Sequence, residues 1–94
     1  MKIVYRPHLK RRVKERGFPR DCPERIYKQA KLRLFDSKTE HQIAVAKMKY
    51  AGRIRNLAIS YDIIENNVEI VTIFPISEKE LKNKVNSGRW IIKI

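Results

Sequence analysis

The spacing of apolar residues changes once along this chain, near residue 40. Before that point the period is helical; beyond it, apolar and polar positions alternate. Ile3-Val4-Tyr5 opens as a short apolar run that reads as an edge strand. Leu9 and Val13 then recur at i and i+4, a narrow stripe on a first helix. Pro7 sits in its first turn, where the missing N–H costs nothing, and Gly17 with Phe18-Pro19 ends it. A second helix begins near Asp21-Cys22-Pro23-Glu24, with Asp21 as cap and Glu24 reaching back in an Asp form of the capping box. Ile26, Ala30 and Leu34, with Tyr27, form its buried face. Its end, within Leu32–Phe35, reads equally as helix or short strand.

His41–Tyr50 alternates, with Ile43 and Val45 on one face and Ala44, Ala46, Met48 and Tyr50 on the other. Ala51-Gly52 is the turn into a strand over Arg53–Ile63, where Leu57, Ile59 and Tyr61 share a face. Asn66-Asn67 is a second turn. Val68–Phe74 is apolar on both faces, with Val71 and Ile73 opposed to Val68, Ile70 and Phe74, which predicts a central, doubly covered strand. Pro75 stops it. Ser77-Glu78-Lys79-Glu80 is a capping box for a short helix with Leu81 and Val85 inside and Asn86-Ser87-Gly88 at its end. Arg89–Ile94 is the last strand. The order β-α-α-β-β-β-α-β predicts an α+β fold: two N-terminal helices packed on a curved antiparallel sheet, with a short C-terminal helix before the last strand.

Composition narrows the function classes. The chain has 94 residues, enough for one domain over 1–94. It carries 22 Lys and Arg against 10 Asp and Glu, a net charge of +12. The excess is uneven: residues 1–35 hold +9 and the remainder +3. Such a concentration favours a polyanionic partner, namely nucleic acid, an anionic membrane or an acidic protein. No apolar run reaches the roughly 18 residues of a membrane helix, and the N-terminus lacks a signal-peptide core. Neither a membrane partner nor a small-molecule cofactor is expected. The one cysteine, Cys22, forms no intrachain disulfide and fits a reducing compartment, the cytoplasm. One Cys and two His do not make a conventional zinc site, and no metal site is expected.

On the first helix His8, Arg12 and Arg16 lie about 40° apart, a ridge flanking Leu9 and Val13, while Lys10 and Lys14 point to solvent. Such a ridge can line a cleft, or its arginines can simply lie over apolar surface. His8 suits a general acid or base, and Arg12 and Arg16 suit bidentate phosphate clamping. Arg53 and Arg55 share the face of Tyr61, which either donates a proton, stacks on a base or packs in the core. Arg89 beside Trp90 can reach RNA, and Arg11, Arg12, Arg16, Arg53 and Arg89 make up the expected nucleic-acid contacts. His41 reads as a solvated strand start, and Cys22 as structural or incidental.

The run Pro7–Pro19 (PHLKRRVKERGFP), followed by LFD, the hairpin strands, VTIFPI and SGRWI, resembles small uncharacterised proteins opening with a His-x3-Arg-x3-Arg helix. These are similar in layout to the RelE/ParE-type toxins of the RNase-like fold. The resemblance spans nearly the whole chain and implies metal-independent RNA cleavage of the mRNA-interferase kind. His8, Arg12, Arg16, Arg55 and Tyr61 would be its catalytic residues. RNA, in some relatives on the ribosome, would be the substrate, and an acidic antitoxin the protein partner. One departure is plain: where a Thr-Ile-His-Pro context is expected, the chain reads Thr72-Ile73-Phe74-Pro75. Without that histidine, a non-catalytic nucleic-acid-binding module and an inactive relative that binds only a protein remain as alternatives.

Overall fold

The computed structural model describes residues 1–93. Six strands form one sheet: β1 (Lys2–Tyr5), β2 (Leu32–Asp36), β3 (Gln42–Tyr50), β4 (Arg53–Ile64), β5 (Asn67–Pro75) and β6 (Trp90–Ile92). Their order is β1-β5-β4-β3-β2-β6. Three helices accompany them: α1 (Pro7–Arg16), α2 (Cys22–Gln29) and α3 (Glu78–Asn86). The chain is α+β but strand-dominated, 45% strand against 29% helix.

This corrects the expected architecture of two N-terminal helices on a curved antiparallel sheet. The sheet is mixed, because β1 pairs parallel with β5, from Lys2 opposite Asn67 to Tyr5 opposite Ile70. Apolar spacing reports that a strand exists, not which way its neighbour runs. Helices also cover both faces. α1 and α2 bury Leu9, Val13, Cys22 and Ile26 on Ala44, Met48, Leu57, Ile59, Tyr61, Val68 and Ile70. α3 lays Leu81 and Val85 on the opposite face, over Leu34, Ile43, Val45, Ala58, Ile76 and Trp90.

Several local expectations change for identifiable reasons. The second helix stops at Gln29, where Ala30 turns extended (φ −61°, ψ 128°), and Leu32–Asp36 pairs with β3 and β6 as a strand. Leu34 is therefore a strand residue of the α3-side core. Asp21 makes no side-chain cap. Instead the Tyr5 hydroxyl accepts from the Glu24 amide at 3.1 Å and donates to the Arg20 carbonyl at 3.0 Å, so β1 caps α2. In β5 the register slips: Ser60 faces Thr72 and Tyr61 faces Ile70, leaving Val71 as the extra residue of a bulge. The bulge resets the alternation, so Ile73 joins Val68 and Ile70 toward α1 and α2. β5 is an interior strand between β1 and β4, while β4 and β3 hold the centre. The turn before it uses Glu65 and Asn66, both at positive φ, rather than Asn66-Asn67. β6 covers Trp90–Ile92 of the expected Arg89–Ile94, and Ile94 lies outside the described residues.

Other elements form as their sequence dictates. Gly17 adopts φ 70° and its amide closes α1 on the Val13 carbonyl. The Ser77 and Glu80 side chains cap one another's amides, both at 3.1 Å. Ala51 and Gly52 at φ 53° and 78° make the tight β3–β4 turn, which sets the register of the longest hairpin.

Candidate nucleic-acid interface

α1 buries Leu9 and Val13 and turns everything else outward. His8, Lys10, Arg11, Lys14 and Arg16 are exposed and Arg12 is half-buried. Glu15 is the helix's only acid, and it makes no ion pair with any described residue. Among the described residues, the only lysines and arginines in ion pairs are Arg6, Lys28 and Arg89. Lys10, Arg11, Arg12, Lys14 and Arg16 therefore make no ion pair, although Glu15 shares their helix and Asp21 and Glu24 line the groove beside Lys10 and Lys14.

The two flanks of α1 have different surroundings. Lys10 and Lys14, expected to point away to solvent, line a groove of about 980 Å³ with Lys2, Tyr5 and Arg20, floored by Ile3, Val13 and Phe18. His8, Arg12 and Arg16 rise along the other flank, spread over about 12 Å of helix. The end of that flank is tied to the β3–β4 hairpin through Tyr50. The Tyr50 hydroxyl donates to the Arg16 carbonyl at 3.0 Å, and its ring stacks on Phe18 with centroids 4.2 Å apart. Arg55 Nε donates to the Tyr50 carbonyl at 3.1 Å, and Arg53 lies opposite Tyr50 in the register. Tyr50 thereby links the end of α1 to the stretch of β4 that carries Arg53 and Arg55, which also line a groove with Glu78 and Glu80.

The remaining candidates lie elsewhere. Tyr61 is only 3% exposed. Its hydroxyl accepts from Arg33 at 3.2 Å, and its ring meets Tyr27 edge-on at 5.1 Å. It stands six residues from Arg55 along β4, roughly 20 Å, so the two do not reach one scissile bond. Arg89 is held by Asp36 through two hydrogen bonds of 2.9 and 3.2 Å, at the β2–β6 edge. Trp90 is buried under α3. Cys22 is buried as well, and that burial pushes its thiol up, keeping it protonated and unreactive.

Asp36 marks a second polar region. Burial alone would raise its carboxyl, but Arg89 and the amides of Thr39 and Lys38 outweigh burial and hold it well below the usual carboxylate range. A depressed folded-state value means this carboxylate stabilises the fold above its ordinary 3.8 and loses that contribution as pH falls further. Asp36→Asn should therefore melt below wild type at pH 7, with the two melting temperatures converging between about pH 4 and pH 2. Parallel melting curves across that range would contradict the assignment.

Sequence spacing missed one side-chain cluster, although hairpin counting reaches it. With Tyr50 opposite Arg53 and Gln42 opposite Tyr61, the next facing pair is His41 and Asp62. His41 Nδ1 lies 2.7 Å from Asp62 Oδ1, and Asp62 Oδ2 accepts from Arg6 at 2.9 Å. Arg6 Nε also donates to Glu69 at 3.1 Å, so the network spans four strands. His41 is thus oriented rather than merely solvated.

Among the described residues, no helix is long and apolar enough to cross a membrane. No family model matches the chain, and comparison with curated proteins and with solved structures finds no relative. The resemblance to RelE/ParE-type toxins therefore rests on the sequence pattern alone.

Proposed function

We propose that this protein is a nucleic-acid-binding module that grips the phosphate backbone, RNA foremost, with α1 and the turn end of the β3–β4 hairpin. One observation carries the reading: five cations of α1 make no ion pair among the described residues, while Tyr50 links the helix end to the stretch of β4 that carries Arg53 and Arg55. Unpaired cations on one helix are the footprint of a backbone contact, since each phosphate neutralised releases a condensed counterion. An acidic protein partner would compete for the same face. The test is fluorescence anisotropy of a labelled single-stranded RNA across a salt series. If five phosphates are contacted, log affinity falls against log salt with a slope of about −3 to −4. A slope near zero, or no binding at low salt, contradicts the reading.

RNA cleavage at the same face is the second reading, favoured by the open position of His8 on the flank that carries Arg12 and Arg16. Against it stand the roughly 20 Å between Arg55 and Tyr61 along β4 and the burial of Tyr61, whose hydroxyl is engaged by Arg33. Under the binding reading, His8→Ala keeps its affinity within about twofold, because the lysines and arginines of α1 make the phosphate contacts. Under the cleavage reading, a chelator-treated assay shows strand scission that falls about 10²–10⁴-fold in His8→Ala.

A further inference from the structure

On the sheet face opposite α1, a cavity of about 280 Å³ opens between His41 and the last turn of α3. His41, Ser60, Thr72, Lys84, Arg89 and Trp90 line it. We propose that this cavity is a binding site for a phosphate monoester group, separate from the α1 interface.

The lining is rich in donors and short of free acceptors. Asp36, its one carboxylate, already accepts from Arg89 and from the Lys38 and Thr39 amides. Lys84 has no ion pair among the described residues, its ammonium standing 5.7 Å from the Trp90 ring centroid. Arg89 uses two of its five N–H donors on Asp36, and the others remain. Ser60 and Thr72 are paired across β4 and β5, and neither hydroxyl makes a hydrogen bond among the described residues. Trp90 Nε1 is a buried donor with no acceptor among the described residues, an arrangement that normally costs free energy. The carbonyl end of α3 would oppose an anion, but the Lys84 and Val85 carbonyls are taken up by the Ser87 hydroxyl and by the Ser87 and Gly88 amides.

His41 selects the kind of oxyanion. Ionised Asp62 can only accept, so Nδ1 carries the hydrogen and the second ring nitrogen is left for a ligand. A neutral ring accepts there from a P–OH group, and a protonated ring donates there to P–O⁻. A phosphate monoester, which titrates near neutrality, satisfies both states. Sulfate, which carries no proton at neutral pH, satisfies only the second. Such a group belongs either to free phosphate and small phosphate esters or to the 5′ end of a nucleic-acid chain.

Trp90 is the chain's only tryptophan, so its emission reports on this site alone. Inorganic phosphate titrated at fixed ionic strength and pH 7.5 should give a saturable change, with sulfate at least tenfold weaker. Lys84→Gln and His41→Gln should each weaken phosphate at least tenfold, with thermal melts confirming that both fold. Lys82→Gln, exposed on the same helix, should leave it unchanged. Competition by a 5′-phosphorylated oligonucleotide but not its 5′-hydroxyl form places the group at a chain end. Competition by neither supports a small phosphate ester. Equal competition by both, a linear response to phosphate, or full affinity in Lys84→Gln overturns the proposal.

Discussion

Reversing Arg11, Arg12 and Arg16 to glutamate is expected to lower RNA affinity about a hundredfold or more near 0.1 M salt. A surface charge pair at contact is worth about 1 kcal/mol in water, so three lost contacts amount to about two decades before repulsion is added. The matched control reverses Lys38, Lys79 and Lys82, three exposed cations away from α1. It removes the same formal charge and should cost well under tenfold. A glutamate at Arg16 also sits in the last turn of α1, where negative charge works against the helix dipole. A glutamine version avoids that penalty and should still lose about tenfold or more. Equal losses from the two triples would mean that net charge alone drives binding.

The second large effect lies in the core that holds α1 and α2 in place. Ile59 is fully buried near the middle of β4, where the first two helices close on the sheet. Ile59→Ala should cost about 2–5 kcal/mol in urea unfolding, combining lost burial with the cavity left behind. That is a large share of the stability of a domain this size, typically about 5–15 kcal/mol. Ile63, on the same strand but 54% exposed, is the comparison. Ile63→Ala should change stability by about 0.5 kcal/mol or less. Similar losses at both positions would contradict the placement of Ile59 in the core and of Ile63 at the exposed end of β4.

What the sequence made legible was chemistry that acts over a few residues. Pro7 and Gly17 bound the first helix, Ser77 and Glu80 cap the third, and Ala51-Gly52 sets the β3–β4 register. What stayed hidden depends on residues far apart in the chain. Tyr5 caps α2 from 19 residues upstream of Glu24, a contact no local capping rule anticipates. The parallel β1–β5 pair links the first strand to one more than 60 residues later. The Val71 bulge leaves a run of apolar residues that looks the same with or without a slip.

The candidate site divides along the same line. The free cationic face of α1 follows from helical spacing and from the scarcity of acids within it. The fates of Tyr61 and Arg89 do not, because Arg33 and Asp36, which occupy them, come from other strands. His41 and Asp62 form the intermediate case. Their pairing is fixed by counting back from the hairpin turn, yet neither residue stands in a recognisable motif.

Backbone amide shifts of the labelled protein, followed while a short single-stranded RNA is added, test the central claim most directly. The account predicts that the largest perturbations fall on α1 and around Tyr50, Arg53 and Arg55, with α3 and β6 nearly still. Perturbations centred on α3 and β6, or spread evenly over the surface, would contradict it.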